Sequence, residues 1–278
     1  MTKSCGRLWP ISREVHRHRV EMPMKVLTIA LNTAREAVRN RVLYSILFFA
    51  VLLVGISAIF GSASIGDQMK FIKDFSLFSI SLFGVITTVV LGVNLLNKEL
   101  GKRTIFNILS KPVARWEFIV GKFFGLLLTV AAMVILMSAA LLVFLRLFEP
   151  QVDWQLLLAS ATILMELMVL IALALLFSAI VVTPSLAGLF TAAAFIAGRS
   201  SSYLQVFGGD DYPPVVRGIT WILFAILPHL DRFNIADQVV FGDRFSLWYF
   251  AHAGLYAVSY SALVLLLSVL LFQRREFT

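Results

Sequence analysis

A chain of 278 residues, 59% of them hydrophobic and only 14% charged, is too apolar for an ordinary soluble domain. Its apolar runs reach the ~20 residues needed to cross a bilayer core of about 30 Å, so composition predicts an all-α, polytopic membrane protein. The net charge of +8 could suit nucleic acid, but its distribution argues against that partner.

Seventeen of the 24 Lys and Arg residues fall in three places: before Val42, between Asn97 and Lys122, and in the tail at Arg274 and Arg275. The other seven share their segments with nine acids. Such one-sidedness is the topology signal of an inner (cytoplasmic) membrane protein, with the basic side in the cytoplasm. The lone Cys5 excludes an internal disulfide and any CxxC site. Nothing apolar of sufficient length precedes Val42, so no cleavable signal peptide is expected.

In chain order, residues 1–23 read as a flexible, basic cytoplasmic extension, and 24–278 as a single transmembrane domain. His16 and His18 are flanked by arginines and lack a third ligand, a poor metal site. Met24–Arg41 reads as an amphipathic helix along the membrane, with Val26, Leu27, Ala30, Leu31, Ala34 and Val38 on its apolar face. Six spans are predicted, at about 42–60, 75–96, 123–148, 156–181, 183–198 and 247–272, which leaves both termini cytoplasmic. In the second, Thr87 and Thr88 carry hydroxyls able to bond the preceding turn. The third opens on Gly121-Lys-Phe-Phe-Gly125, a small-xxx-small spacing that permits close helix approach.

Between the second and third spans lies the polar island 97–122, read as a cytoplasmic loop. Inside it Ile105, Phe106, Ile108 and Leu109 fall on one face of a two-turn helix, Arg103–Ser110, which Ser110-Lys111-Pro112 stops. Two readings are open at this point. The helix either rests on lipid headgroups as a basic loop, or docks a soluble partner. The region 199–246 holds an apolar run, Val215–Leu227, too short to span and suited to a re-entrant or interfacial helix. A seventh crossing there would put Asp231, Asp237 and Asp243 inside, against the charge rule.

No GxxxxGK[ST], GxSxG or HExxH occurs, so the chain is expected to be no enzyme and to hold no cofactor of its own. Glu166 is the one carboxylate deep within a span and must be protonated, paired or wet. Either it contacts substrate or protons in a translocation path, or it is a neutral carboxyl bonded to a neighbouring hydroxyl. Pro228 and His229 end the short apolar run, and a structural place in an outer gate suits them better than a metal.

The run KELGKRTIFNILSKPVARWEFIVGKFFG resembles the cytoplasmic loop of type-2 ABC exporter permeases, closest to the multicopper-enzyme-maturation branch. Glu99, Arg103, Thr104, Lys111, Pro112, Arg115, Gly121 and Lys122 match that pattern. TIALNTAREAVRNRVLY before the first span and LPHLDRFNIAD near the end are similar too, so the likeness covers about Lys25–Phe272. The resemblance implies an N-terminal elbow helix, a coupling helix in the 97–122 loop, and an outer re-entrant hairpin before the last span. It further implies a separate ATPase subunit that binds the ATP and docks on Arg103, Thr104, Ile105, Phe106, Ile108, Leu109, Lys111 and Arg115. A second permease chain, identical or related, would complete a path that the ATPase opens and closes. The alternative is a membrane scaffold that assembles a partner complex without moving a substrate. No Cys, Met or His cluster stands at ligand spacing in any span, so the likeness is not read as copper transport.

Overall fold

The computed structural model describes residues 11–62, 68–101, 114–146, 154–181, 183–203, 213–241 and 247–274. Among them there is no strand. The helices are α1 (Ile11–Val38), α2 (Arg41–Ser62), α3 (Gln68–Gly101), α4 (Arg115–Leu145) and α5 (Gln155–Ile180). They continue as α6 (Pro184–Arg199), α7 (Pro214–Ile226), a 3-10 turn at Leu230–Phe233, α8 (Ala236–Phe241) and α9 (Leu247–Arg274). Four of these, α3, α4, α5 and α9, are long and apolar enough to cross a membrane. A fifth candidate is the pair α1–α2, whose apolar segments Lys25–Val38 and Arg41–Ser57 meet at a 65° bend.

The helix α5 is the centre of the bundle. It is apolar on every side, the pattern of a helix enclosed by others, and α3, α4, α6 and α9 pack around it. Of its most apolar stretch 72% is buried, against 28% for α9 at the rim. Close approach to α3 is possible because Gly84 and Gly92 face Leu167 and Ala174; a Cβ at either glycine would come within 2.5 and 2.9 Å of them. Leu255, Leu263 and Leu266 on α9, and Phe48, Phe49 and Ile59 on α2, stay exposed, an outer surface suited to lipid.

The amphipathic stretch before the first span is helical, as its periodicity requires, but begins at Ile11 rather than Met24. Part of the expected extension is therefore helix. Its bundle-facing side is the small-residue stripe Ala30, Thr33, Ala34 and Ala37, while Leu27, Leu31 and Val38 of the predicted apolar face remain exposed. The reason is steric. Gly121 and Gly125 of α4 receive this helix so closely that a Cβ on Gly125 would stand 2.6 Å from the Ala30 carbonyl oxygen. Only small residues allow that separation.

The polar island is also narrower as a loop than its composition suggests. The helix α3 runs on to Gly101, and α4 starts at Arg115, so Arg115–Lys122 is its first two turns. Glu117 accepts from the Ala114 N–H at 2.9 Å and places a carboxylate at the helix start, where the backbone dipole favours it. Burial of Glu117 and Lys122 follows from the packing of α1 and α9 on this end of α4. The Thr87 hydroxyl donates to Met133 Sδ on α4 at 3.2 Å rather than to its own preceding turn, and Thr88 Oγ1 is buried with no partner among the described residues.

Candidate functional site

Two features of the sequence build the site. Glu166 sits on α5, and the Thr183-Pro184 turn starts α6 with proline in the first helical turn, where its fixed φ fits and its missing N–H is no loss. From Pro184, α6 has only sixteen residues. At 1.5 Å per residue it rises about 22 Å before ending at Arg199, and Ile180 back to Glu166 on α5 is about 21 Å. The short helix therefore delivers its terminal arginine to the depth of the buried carboxylate.

Arg199 Nη1 donates to Glu166 Oε1 at 3.1 Å and to Oε2 at 3.3 Å, and to Ser81 Oγ on α3 at 3.1 Å. Glu166 is 1% exposed and Arg199 is 29% exposed, so the carboxylate is covered while the guanidinium keeps an open side. Phe195 lies under that guanidinium, its ring centre 5.8 Å away. Of the states open to Glu166, the structure shows pairing, with a cation rather than with a neighbouring hydroxyl. A desolvated carboxylate inside a span is tolerable only with such a partner.

The pair lines a cavity of about 260 Å³ among α3, α5, α6 and the segment after the 3-10 turn. Phe75, Phe78, Phe233 and Ile235 make its apolar wall; Asp74, Ser81, Thr162 and Asn234 make the polar one. The 3-10 turn and α8 occupy the space above α6 that a full-length helix would fill, and they pack on α3, α5 and α6. A polar staple holds them there. Ser201 donates to Asp231 Oδ1 at 2.8 Å, and Ser202 to Asp231 Oδ2. Gly198 lets the segment come down, since a Cβ there would lie 2.6 Å from the Pro228 carbonyl oxygen.

His229 is the other predicted residue that the structure places in a cluster. Its backbone N–H donates to Tyr256 Oη at 2.9 Å, and its ring meets Phe224 edge-on at 4.1 Å. Burial, followed by the Arg232 charge, lowers its pKa below the ordinary 6.5, with Asp231 acting the other way. The ring Nε2 is buried and has no hydrogen-bond partner among the described residues. Tyr249 closes the cluster by donating to the Arg232 carbonyl at 2.8 Å. No group of three or more His, Cys, Asp or Glu side chains able to hold a metal occurs among the described residues.

Of the expected docking residues, Arg103, Thr104, Ile105, Phe106, Ile108, Leu109 and Lys111 lie outside the described residues. Arg115 lies inside. Its Nη1 donates to the carbonyls of Gln273 at 2.9 Å and Phe272 at 3.4 Å, capping the last turn of α9 with a cation. Phe118 stacks on Phe272 at 6.2 Å alongside it. The first turn of α4 is thereby clamped to the end of α9.

A bundle of this kind agrees with what comparison with known proteins finds. The family described as "ABC-2 family transporter protein" matches residues 27–198, more than half of the chain. The chain belongs to the ABC-2 transporter family. Among curated proteins none matches it. ABC-2 proteins are the membrane components of ABC transporters and work with an ATPase subunit, so this chain is a multi-pass transport component and not itself the catalytic one. The matched range includes Glu166 and stops one residue short of Arg199.

Sequence reasoning missed Arg199 as the partner of Glu166, although one signal was present. The fifth predicted span, 183–198, was the shortest and was followed at once by an arginine, so that cation had to lie short of the far membrane face. A cation there and a carboxylate at the same depth on the preceding helix call for each other.

Proposed function

We propose that this chain is the permease subunit of an ATP-driven ABC-2 exporter, with the cavity at Glu166 and Arg199 forming part of the substrate path. The observation that carries the path is a covered carboxylate and a part-open arginine facing a cavity between helices, in a family of transport components. We count six spans, taking α2 and the short α6 with the four longer helices, and put both termini and the basic end in the cytoplasm of the inner membrane. On this reading α7 is the re-entrant or interfacial helix, and α1 is the elbow.

The 97–122 segment couples the permease to its ATPase through the helix 103–110. Force applied there has two routes into the bundle: the Arg115 and Phe118 clamp on α9, and the Gly121–Gly125 seat of α1. Two permease chains, identical or related, would face one another across the path. The loop motifs support the multicopper-enzyme-maturation branch, as kinship of chain and not of cargo.

The test is co-purification with the ATPase subunit. Phe106→Asp and Leu109→Asp place a charge on the apolar docking face, and each should abolish association while leaving insertion intact. Equal recovery of ATPase with wild type and variants would sink the coupling proposal and favour a scaffold.

A further inference from the structure

The bend between α1 and α2 gathers charge that the bundle does not use. Asn32, Arg35, Glu36 and Arg39 fall at i, i+3, i+4 and i+7, so they share one face of α1. Asn40 and Arg41 follow at the 65° bend, Asn94 joins them from near the C-terminal end of α3, and together these residues line one groove of about 800 Å³. Its charged lining is three cations, Arg35, Arg39 and Arg41, against the single carboxylate of Glu36. All three arginines are exposed, and among the described residues none of them makes a side-chain hydrogen bond or ion pair. Asn40 Oδ1 accepts from the Val42 N–H at 3.1 Å and so caps α2, which leaves the Asn40 amide N–H groups for another acceptor.

The surroundings of the groove narrow what it holds. Planar guanidinium forks match phosphate oxygens, and the excess of cations in the lining calls for an anion. Leu31, Val38 and Val42, each next in the chain to a groove residue, are exposed, so apolar surface flanks the arginines. A soluble anion would use the cations and leave that surface wet, whereas a phospholipid covers both. The volume lies within the range of roughly 300–1,000 Å³ that takes a small organic group, so a whole headgroup fits and not merely one ion.

We propose that the bend is a seat for an anionic phospholipid, its phosphate among Arg35, Arg39 and Arg41, its polar headgroup toward Asn40 and Asn94, and its acyl chains along α2 past Val42. A headgroup held there bridges α1, α2 and α3, and so fixes the angle at which the first helix meets the first span. Which leaflet supplies the lipid rests on the cytoplasmic placement of the basic end proposed above. The binding itself does not, and it is tested without the ATPase, so failure here leaves the permease assignment standing.

The experiment melts the purified full chain in phosphatidylcholine nanodiscs that carry increasing fractions of phosphatidylglycerol. A ligand of the folded state raises Tm saturably, and wild type should show such a rise. The double variant Arg35→Gln/Arg39→Gln should need at least about tenfold more phosphatidylglycerol for half of it. Arg274→Gln/Arg275→Gln removes the same charge from the tail and should respond as wild type does. Asn94→Trp fills the groove with all three arginines in place, and should abolish the rise even if the double arginine variant fails to fold. No rise in wild type, the same rise in wild type and the groove variants, or an equal loss in the tail variant overturns the proposal. An equal rise with inorganic phosphate in pure phosphatidylcholine nanodiscs identifies a free-anion site and overturns the lipid. An unchanged lipid response with loss of ATPase co-purification in the double variant makes the groove a protein contact, and overturns it as well.

Discussion

At the scale of the residue, the protein turns on one ion pair that bridges three helices. Replacing Glu166 by Gln keeps shape and a hydrogen bond but leaves the Arg199 charge uncompensated. A fully buried pair loses about 3–5 kcal/mol when one partner goes; with Arg199 29% exposed, about 1–3 kcal/mol is expected. Adding Arg199→Gln should recover much of that loss, and a double-mutant cycle on thermal unfolding measures the coupling. Equal, additive losses would mean that the pair contributes nothing as a pair. A second residue-scale prediction concerns pH. His229 has its pKa lowered by burial, so the folded state binds its proton less readily than the unfolded one. The stability it contributes is present above its unfolded pKa of 6.5 and is lost as pH falls toward the folded value. Melting measured from about pH 7.5 to about 5.5 should show a decline in wild type that His229→Gln reduces.

The elements are held by small residues more than by large ones. Gly84 and Gly92 admit α5 to α3, Gly121 and Gly125 admit α1 to α4, and Gly198 admits the 228–230 segment to α6. These positions differ in what a side chain would meet. At Gly121 the nearest atoms belong to the Ile29 side chain, whereas at Gly125 the nearest is the Ala30 carbonyl oxygen, 2.6 Å away, and backbone cannot step aside. Gly125→Val should therefore displace α1 from α4 and destabilise by about 1–3 kcal/mol. The equivalent change at Gly218, where nothing lies within 4 Å, should be close to neutral. Limited proteolysis within α1 and thermal unfolding report the two outcomes; equal effects at both sites would remove the close-approach argument.

For the whole molecule the open question is sidedness, and it has a direct readout. If both termini are cytoplasmic, a cysteine added after Phe277 is shielded from a membrane-impermeant thiol reagent in intact cells and reacts only after permeabilisation. Labelling in intact cells would place the tail outside and favour a crossing by α7. A cysteine placed in the 3-10 turn, at Asp231 or Arg232, should give the opposite pattern, since that segment is bonded by Tyr249 near the start of α9 whereas Arg115 caps the end of α9. Both arms use Cys5→Ser as background, because it is the one native thiol.

What the sequence determined by itself was the all-helical membrane class and the charge pattern: long apolar runs can bury their backbone polar groups in lipid only as helices. The helical nature of 24–38, the short α7 and the close-approach glycines of Gly121-Lys-Phe-Phe-Gly125 were all legible, because each is a local pattern with one geometric meaning. Tertiary structure alone decided which residues meet. That Glu166 pairs with Arg199, thirty-three positions away, and that Ser81, 118 positions from Arg199, joins them depends on how far α6 rises before it stops and on which face of α5 it packs against. The same holds for Arg115, whose match to a docking pattern gave no hint of the α9 carbonyls it caps 158 positions later. Periodicity assigns a residue to a face of its own helix; the neighbour on that face is set by helix length and packing, which no single stretch of sequence contains.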